Sequence, residues 1–201
     1  SAHTKEGCCN VPIVRQPSVP DKRAPLLFGS PHKQGSTAKL AEAFRTACPP
    51  EYIWNTWYCF DHDVRPCDDC RYCHRHGGCA KPDLQSFYEL LEQSDLLVIA
   101  TPVYNLSYSA PLKTLLDRTQ RYWAARFVRG IKPPIARPKK AVLLTVAEVD
   151  TDGGSVVERQ LRPTLTILNA QLVTSMHMMS GEPSTKWVEC AKKAVNQLSS
   201  L

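Results

Sequence analysis

Nowhere in the 201 residues is there a run of about 18 apolar side chains, the least that crosses a bilayer as a helix, so no membrane span is expected. Collagen periods, heptad arrays and 20–50-residue repeats are missing too, which excludes fibres, coiled coils and solenoids. Glycine is scarce, with 9 against 16 prolines, and the prolines are scattered singly or in pairs as loop markers. Residues Ser1 to Asn10 lack the charged and apolar regions of a secretory leader. Cysteine is plentiful, but nine is an odd number and argues against a complete disulfide framework. Together these features lead us to expect a reducing, cytoplasmic compartment in which thiols serve chemistry. A dense basic stripe is also lacking. The net charge is +6, and the most basic stretch, Arg121 to Lys140, is interrupted by Trp123, Phe127, Ile131 and prolines. It reads as a solvated surface loop, nucleic acid is not an expected partner, and the charge is better suited to attracting anionic cofactors.

What is present is one domain's worth of core. A chain of this length hides about 70% of its unfolded surface, and 43% of its residues are hydrophobic. Residues 1–23, with Cys8, Cys9 and three prolines, read as an N-terminal arm. From Ala24 to residue 201 strands and amphipathic helices alternate. Strands are predicted at Pro25–Phe28, Tyr52–Tyr58, Leu96–Ala100, Ala141–Ala147 and Leu172–Met176. The Leu96 and Ala141 runs are apolar without alternation, as strands buried on both faces are. Helical stripes fall at Leu40, Phe44 and Ala47, at Leu84, Phe87 and Leu91, at Leu112, Leu115 and Leu116, at Val157, Leu161 and Leu165, and at Trp187, Ala191 and Leu198. Asp83 and Ser109 are placed to cap the second and third of these. Residues 59–82 form a cysteine-rich insertion without regular period. Such alternation implies right-handed crossovers and a parallel α/β sheet, in strand order 2-1-3-4-5, with ligands beyond the carboxyl ends of its strands.

Two loops at that end carry polar chemistry. Gly29-Ser30-Pro31-His32-Lys33-Gln34-Gly35-Ser36-Thr37 runs from the first strand into a helix, where free N–H groups and the hydroxyls of Ser30, Ser36 and Thr37 make a phosphate cradle plausible. It is neither a Walker loop nor a Gly-x-Gly-x-x-Gly fingerprint. A simple polar strand-to-helix turn is the alternative. Thr101-Pro102-Val103-Tyr104-Asn105 follows the third strand and offers a ring, an amide and main-chain donors to a planar heterocycle, or else forms a rigid turn.

Taken together, Gly29-Ser30-Pro31…Gly35-Ser36-Thr37 and Pro102-Val103-Tyr104-Asn105…Ser109-Ala110-Pro111-Leu112-Lys113…Asp117-Arg118 resemble the NAD(P)H-dependent FMN reductase branch of the flavodoxin-like superfamily, from about Ala24 to Met179. The resemblance implies a flavodoxin-like three-layer sandwich and FMN as cofactor. It gives Ser30, His32, Gly35, Ser36 and Thr37 to the phosphate, and Pro102, Val103, Tyr104 and Asn105 to the flavin ring. Lys113, Asp117 and Arg118 also match, though a helix ion pair or a subunit contact accounts for them. His32 stands where the family often has arginine; a neutral histidine weakens phosphate binding, and Lys33 beside it is the residue placed to compensate. Glu148, Asp150 and Asp152 place three carboxylates in the loop after the fourth strand, a setting that repels an anionic nicotinamide. The flavin carries the redox chemistry, so no side-chain nucleophile is expected.

Cys67, Cys70, Cys73 and Cys79 form a C-x2-C-x2-C-x5-C motif, close to bacterial ferredoxin spacing. It resembles the compact motif of iron–sulfur flavoproteins, which carry a [4Fe–4S] cluster beside FMN; zinc and free or oxidised thiols are the alternatives. Cys48, Cys59 and Cys190 read as small core fillers. Three functions follow. One is a reductase moving electrons from NAD(P)H or a redox partner protein through FMN to a small-molecule acceptor such as a flavin or quinone. The others are an iron–sulfur electron carrier and a non-catalytic flavin-binding module. The family resemblance further implies a homodimer or homotetramer.

Overall fold

Leu96–Pro102 is buried at every residue, and the sheet is assembled around it. The computed structural model describes residues 21–149 and 152–200. Its strands are β1 (Lys22–Phe28), β2 (Tyr52–Tyr58), β3 (Leu96–Pro102), β4 (Lys139–Ala147) and β5 (Ala170–Met179). Its helices are α1 (Ser36–Ala47), α2 (Tyr72–Arg75), α3 (Gln85–Glu92), α4 (Ala110–Asp117), α5 (Gln120–Phe127), α6 (Gly153–Ile167) and α7 (Ser184–Ser199). All five strands are parallel and lie in the order β2-β1-β3-β4-β5, as the alternation of strands and helices requires. Pro25 has no N–H for the ladder, and pairing of β1 with β3 begins one residue beyond it, at Leu26.

Successive strand residues face opposite layers. Leu27, Leu97, Ile99 and Leu143 pack with Phe87, Leu112 and Leu161 from α3, α4 and α6. Leu26, Phe28, Val98 and Leu144 pack with Leu40, Phe44, Trp187 and Ala191 from α1 and α7. The result is a three-layer sandwich.

Several local expectations are corrected. The strand β1 starts at Lys22, so residues 22 and 23 belong to the sheet and not to an arm; Cys8 and Cys9 lie outside the described residues. The basic stretch is not all loop, because α5 occupies Gln120–Phe127 and buries Tyr122, Ala124 and Ala125. Asp83 does not cap a helix. It sits inside a 3₁₀ turn, Pro82–Leu84, that leads into α3, and its carboxylate is engaged elsewhere. Ser109 does precede α4, but its hydroxyl makes no capping bond. The strand β5 outruns its apolar centre at both ends, because an edge strand tolerates outward polar residues such as Gln171 and His177. Cys59 is buried, and Cys48 and Cys190 pack against the core.

Candidate functional site

The chain leaves β1 at Gly29, whose N–H donates to the Ala100 carbonyl at 2.8 Å. A Cβ on Gly29 would lie 3.1 Å from both Leu112 Cδ2 and Ser109 Oγ, so the first loop passes the start of α4 at closer range than a side chain fits without shifting its neighbours. Ser30 is buried, and its Oγ accepts from the His32 N–H at 3.2 Å. Gly35 closes the loop by donating to the His32 carbonyl at 3.1 Å and serves as the N-cap of α1. No side chain caps α1, so the opening N–H groups of a 12-residue helix face the loop with the partial positive charge of its axis. Thr37 is buried and Ser36 half-buried there, while His32 is exposed. Lys33 does not supplement this charge freely. Its ammonium lies 2.5 Å from the Asp61 carboxylate and 4.6 Å from the centre of the Tyr58 ring.

The second loop begins as β3 ends. Pro102 is buried, and the Val103 N–H donates to the Val146 carbonyl at 2.9 Å. Tyr104 and Ser107 then exchange two main-chain bonds of 2.8 and 2.9 Å, closing a two-residue turn. Its central residues Asn105 and Leu106 have φ of 50° and 59°, both in the left-handed region. Asparagine tolerates that conformation, whereas an ordinary side chain such as leucine costs roughly 1–2 kcal/mol. Beneath the two loops the Ser109 hydroxyl is buried without a hydrogen-bond partner.

These loops emerge from β1 and β3, which are adjacent and lie where the strand order reverses. An open α/β sheet offers its crevice at that point. The residues assigned to FMN from sequence therefore lie in these two neighbouring loops at the carboxyl edge or, for Ser36, Thr37 and Pro102, at the ends of the helix and strand that flank them. In the loop after β4, Glu148 accepts from the Ser180 hydroxyl at 2.8 Å, Asp152 is exposed, and Asp150 lies outside the described residues. Gly154 opens α6 against β5, where a Cβ would come within 2.5 Å of the His177 ring. Sequence reasoning missed Gln160. Its amide accepts from Ser107 Oγ at 2.9 Å and donates to the Leu106 carbonyl at 3.2 Å.

The four motif cysteines line one cavity of about 220 Å³, with Arg71, Lys81, Arg118, Arg121 and Trp123 in its wall. Asp69 and Arg71 take left-handed φ of 52° and 57°, and Gly78 a φ of 102°, which lets a short segment wrap the cavity. Lys81 pairs with Asp68 at 2.6 Å, and Arg71 with Asp69 at 3.2 Å. Lys113 and Asp117 form an i,i+4 ion pair at 2.6 Å, but Arg118 does not join it. Its buried guanidinium meets the Asp83 carboxylate at 2.6 and 3.0 Å, the Arg65 and Lys81 carbonyls at 2.7 and 3.1 Å, and Cys79 Sγ at 3.5 Å. The Arg118 hydrogen bonds hold the Asp83 carboxyl at about 2. Burial, more than the other thiols nearby, pushes the Cys73 thiol up. Burial also raises Cys48 and Cys59 to about 12, consistent with filler roles. Among the described residues, no three His, Cys, Asp or Glu side chains converge closely enough to hold a single metal ion.

A cavity of about 800 Å³ lies at the other, amino-terminal edge of the sheet, among Lys22, Glu51, Asp95, Lys139 and Lys140. Lys22, Lys139 and Asp95 there already have partners. Lys22 pairs with Glu51 at 3.1 Å, and Lys139, lowered to about 8 by burial, donates to the Arg137 and Leu168 carbonyls.

The family model for NADPH-dependent FMN reductase matches residues 23–184. An iron–sulfur flavoprotein of Archaeoglobus fulgidus is 30% identical over 150 residues, 74% of this chain and 73% of that protein. An NADPH-type FMN reductase of Escherichia coli is 38% identical over 95 residues, 45% of this chain and 40% of that protein. Among solved structures, an NAD(P)H:quinone oxidoreductase from Methanothermobacter marburgensis superposes with a TM-score of 0.70 at 18% identity. That superposition covers 89% of this chain and 96% of the other, and it shows the shared fold.

Proposed function

The chain belongs to the NADPH-dependent FMN reductase family, and from that premise we propose that this FMN-dependent oxidoreductase holds its flavin across the loops that follow β1 and β3. The observation that carries the reading is the uncapped start of α1 at the sheet's switch point, flanked by buried Ser30 and Thr37. Backbone donors at Ser36 and Thr37, with the Ser30 hydroxyl and the edge of His32, suit a phosphate dianion, while Gly35, whose N–H is engaged by the His32 carbonyl, shapes the turn beneath it. Pro102, Val103, Tyr104 and Asn105 suit the flavin ring, with a half-exposed aromatic face and a rigid main chain. The buried Ser109 hydroxyl, left without a hydrogen-bond partner beside Gly29, supports the reading. FMN, when bound, supplies hydride and single-electron transfer; the protein orients it and supplies the electrostatics. A reduced nicotinamide is the donor that fits the family, and a small-molecule acceptor takes the electrons. Exposed Trp123 and Phe127, whose rings lie 5.5 Å apart on α5, with exposed Val128 and Ile131 following in the chain, offer apolar surface suited to a second copy in a homodimer or homotetramer. Among the described residues no helix is long and apolar enough to cross a membrane. The direct test is titration of flavin-free protein with FMN, followed by quenching of flavin fluorescence. Saturable uptake is expected, and an absence of uptake at surplus FMN would sink the reading.

A second reading is favoured by the cysteine cavity. A [4Fe–4S] cluster with four thiolates is anionic, and four cationic side chains against two carboxylates, Asp68 and Asp69, line the cavity. A cubane takes its thiolates from further apart than a single ion does, which suits four cysteines around a shared space. Cys67, Cys70, Cys73 and Cys79 would hold it, making the chain an iron–sulfur flavoprotein. Iron and sulfide analysis of protein purified without oxygen tests this, with about four of each per chain expected.

A further inference from the structure

The turn between Tyr104 and Ser107 is closed by its own main-chain bonds but carries strain. Asn105 and Leu106 both lie at positive φ, and Leu106 has no polar atom with which to compensate. Tyr104 and Leu106 are 45% and 48% exposed, so packing holds each only in part. A second hold on the turn comes from another element of the fold. Gln160, on α6, donates from Nε2 to the Leu106 carbonyl at 3.2 Å and accepts from Ser107 Oγ at 2.9 Å. One amide thus binds the turn at two adjacent residues, 53 and 54 positions away in sequence. The helix it projects from is seated in the core through Val157, Leu161 and Leu165, so the bonds tie an exposed loop to a rigid support. The amide is also neutral, and brings no charge toward an anionic ligand.

We propose that Gln160 is a positioning residue: it fixes the Tyr104–Ser107 turn in its left-handed form and thereby sets FMN affinity through the shape of the surface on which the ring rests. This rests on the flavin reading above. If strain in the turn is what the amide opposes, then removing the strain makes the amide dispensable. Gly in place of Leu106 does so, because glycine occupies positive φ without penalty.

The experiment compares FMN titrations of wild type, Gln160→Leu, Ser107→Ala and the double variant Gln160→Leu/Leu106→Gly, with thermal midpoints measured alongside. Leucine approximates glutamine in bulk but neither donates nor accepts. Gln160→Leu should raise the FMN dissociation constant about tenfold and alter the bound flavin's absorption bands, and Ser107→Ala about threefold. Gln160 is exposed, so the thermal midpoint should move by no more than about 2 °C. The double variant should recover most of the wild-type affinity. Equal affinities for wild type and Gln160→Leu overturn the inference and leave the flavin site standing. A weakened Gln160→Leu that Leu106→Gly does not restore overturns it as well, because the amide then acts otherwise than through the turn. A wild type that takes up no FMN overturns the flavin reading itself, and this inference with it.

Discussion

The proposed flavin loops and the cysteine segment are made of different materials. The loops grow straight from β1 and β3, and what they offer is mostly main chain: the open end of α1, glycine at 29 and a turn closed by its own peptide bonds. Their shape is inherited from a sheet whose central strand has no exposed residue. The cysteine segment has no strand between β2 and α3, only two 3₁₀ turns and the four-residue α2. Side-chain charges hold it, through Asp68 with Lys81, Asp69 with Arg71, and the buried Arg118 that reaches Asp83, Arg65, Lys81 and Cys79. A site built from backbone shares the stability of the core beneath it. One built from side chains depends on a few residues outside itself, so the two should fail separately.

The largest separation should come from Arg118→Ala. It leaves the Asp83 carboxylate and two carbonyls facing a void, and breaking such a pair costs about 3–5 kcal/mol. Urea unfolding should show that loss, and the iron content of protein purified without oxygen should fall. FMN affinity should stay within about threefold, because the flavin loops share no partner with Arg118. Parallel losses of FMN and iron would break the comparison. Ser36→Glu is the converse. A carboxylate at the open end of α1 stands where the phosphate would go, and like charges at a binding surface should weaken FMN by roughly a hundredfold. Its iron content should match wild type. Cys70→Ala should lose iron and keep the flavin, completing the double dissociation.

Most of the architecture could be read from the chain because it rests on local periodicity. Unbroken apolar runs marked β3 and β4, apolar stripes marked α1, α6 and α7, and the alternation of strands and helices led to the strand order. The features that escaped depend on distant partners. In α5 the period is broken by Arg121, which lies at a helix position because its guanidinium covers the Tyr88 ring at 4.2 Å. Asp83 follows a proline and looks like a cap, yet its partner Arg118 is 35 residues away. The role proposed for Gln160 has no signature at all, since a glutamine on an exposed helix face is ordinary until the Tyr104–Ser107 turn is seen beside it. The two loops proposed for the flavin stood out as loops for the opposite reason, since glycines, hydroxyls and prolines at strand ends express local backbone demands.

Acid should sharpen the comparison by a smaller amount. The flavin loops, 29–35 and 103–109, contain no carboxylate, whereas the cysteine segment is anchored through Asp83. Its carboxyl sits at about 2 in the folded protein against an ordinary 3.8, chiefly because Arg118 donates to it. A depressed carboxylate contributes stability that is complete above about pH 5, where it is ionised in both states. As pH falls from about 5 toward 2 the unfolded chain binds the proton first, and that contribution drains away. With part of the group open to solvent, about 1–2 kcal/mol is expected. Asp83→Asn forfeits the pair at every pH. The difference in unfolding free energy between wild type and Asp83→Asn should therefore be constant from pH 7 to about 5 and narrow toward pH 2. A difference that stays level across the acid range would mean that Asp83 holds the segment by shape and hydrogen bonding alone, and that the cysteine segment is less dependent on charge than its contacts indicate.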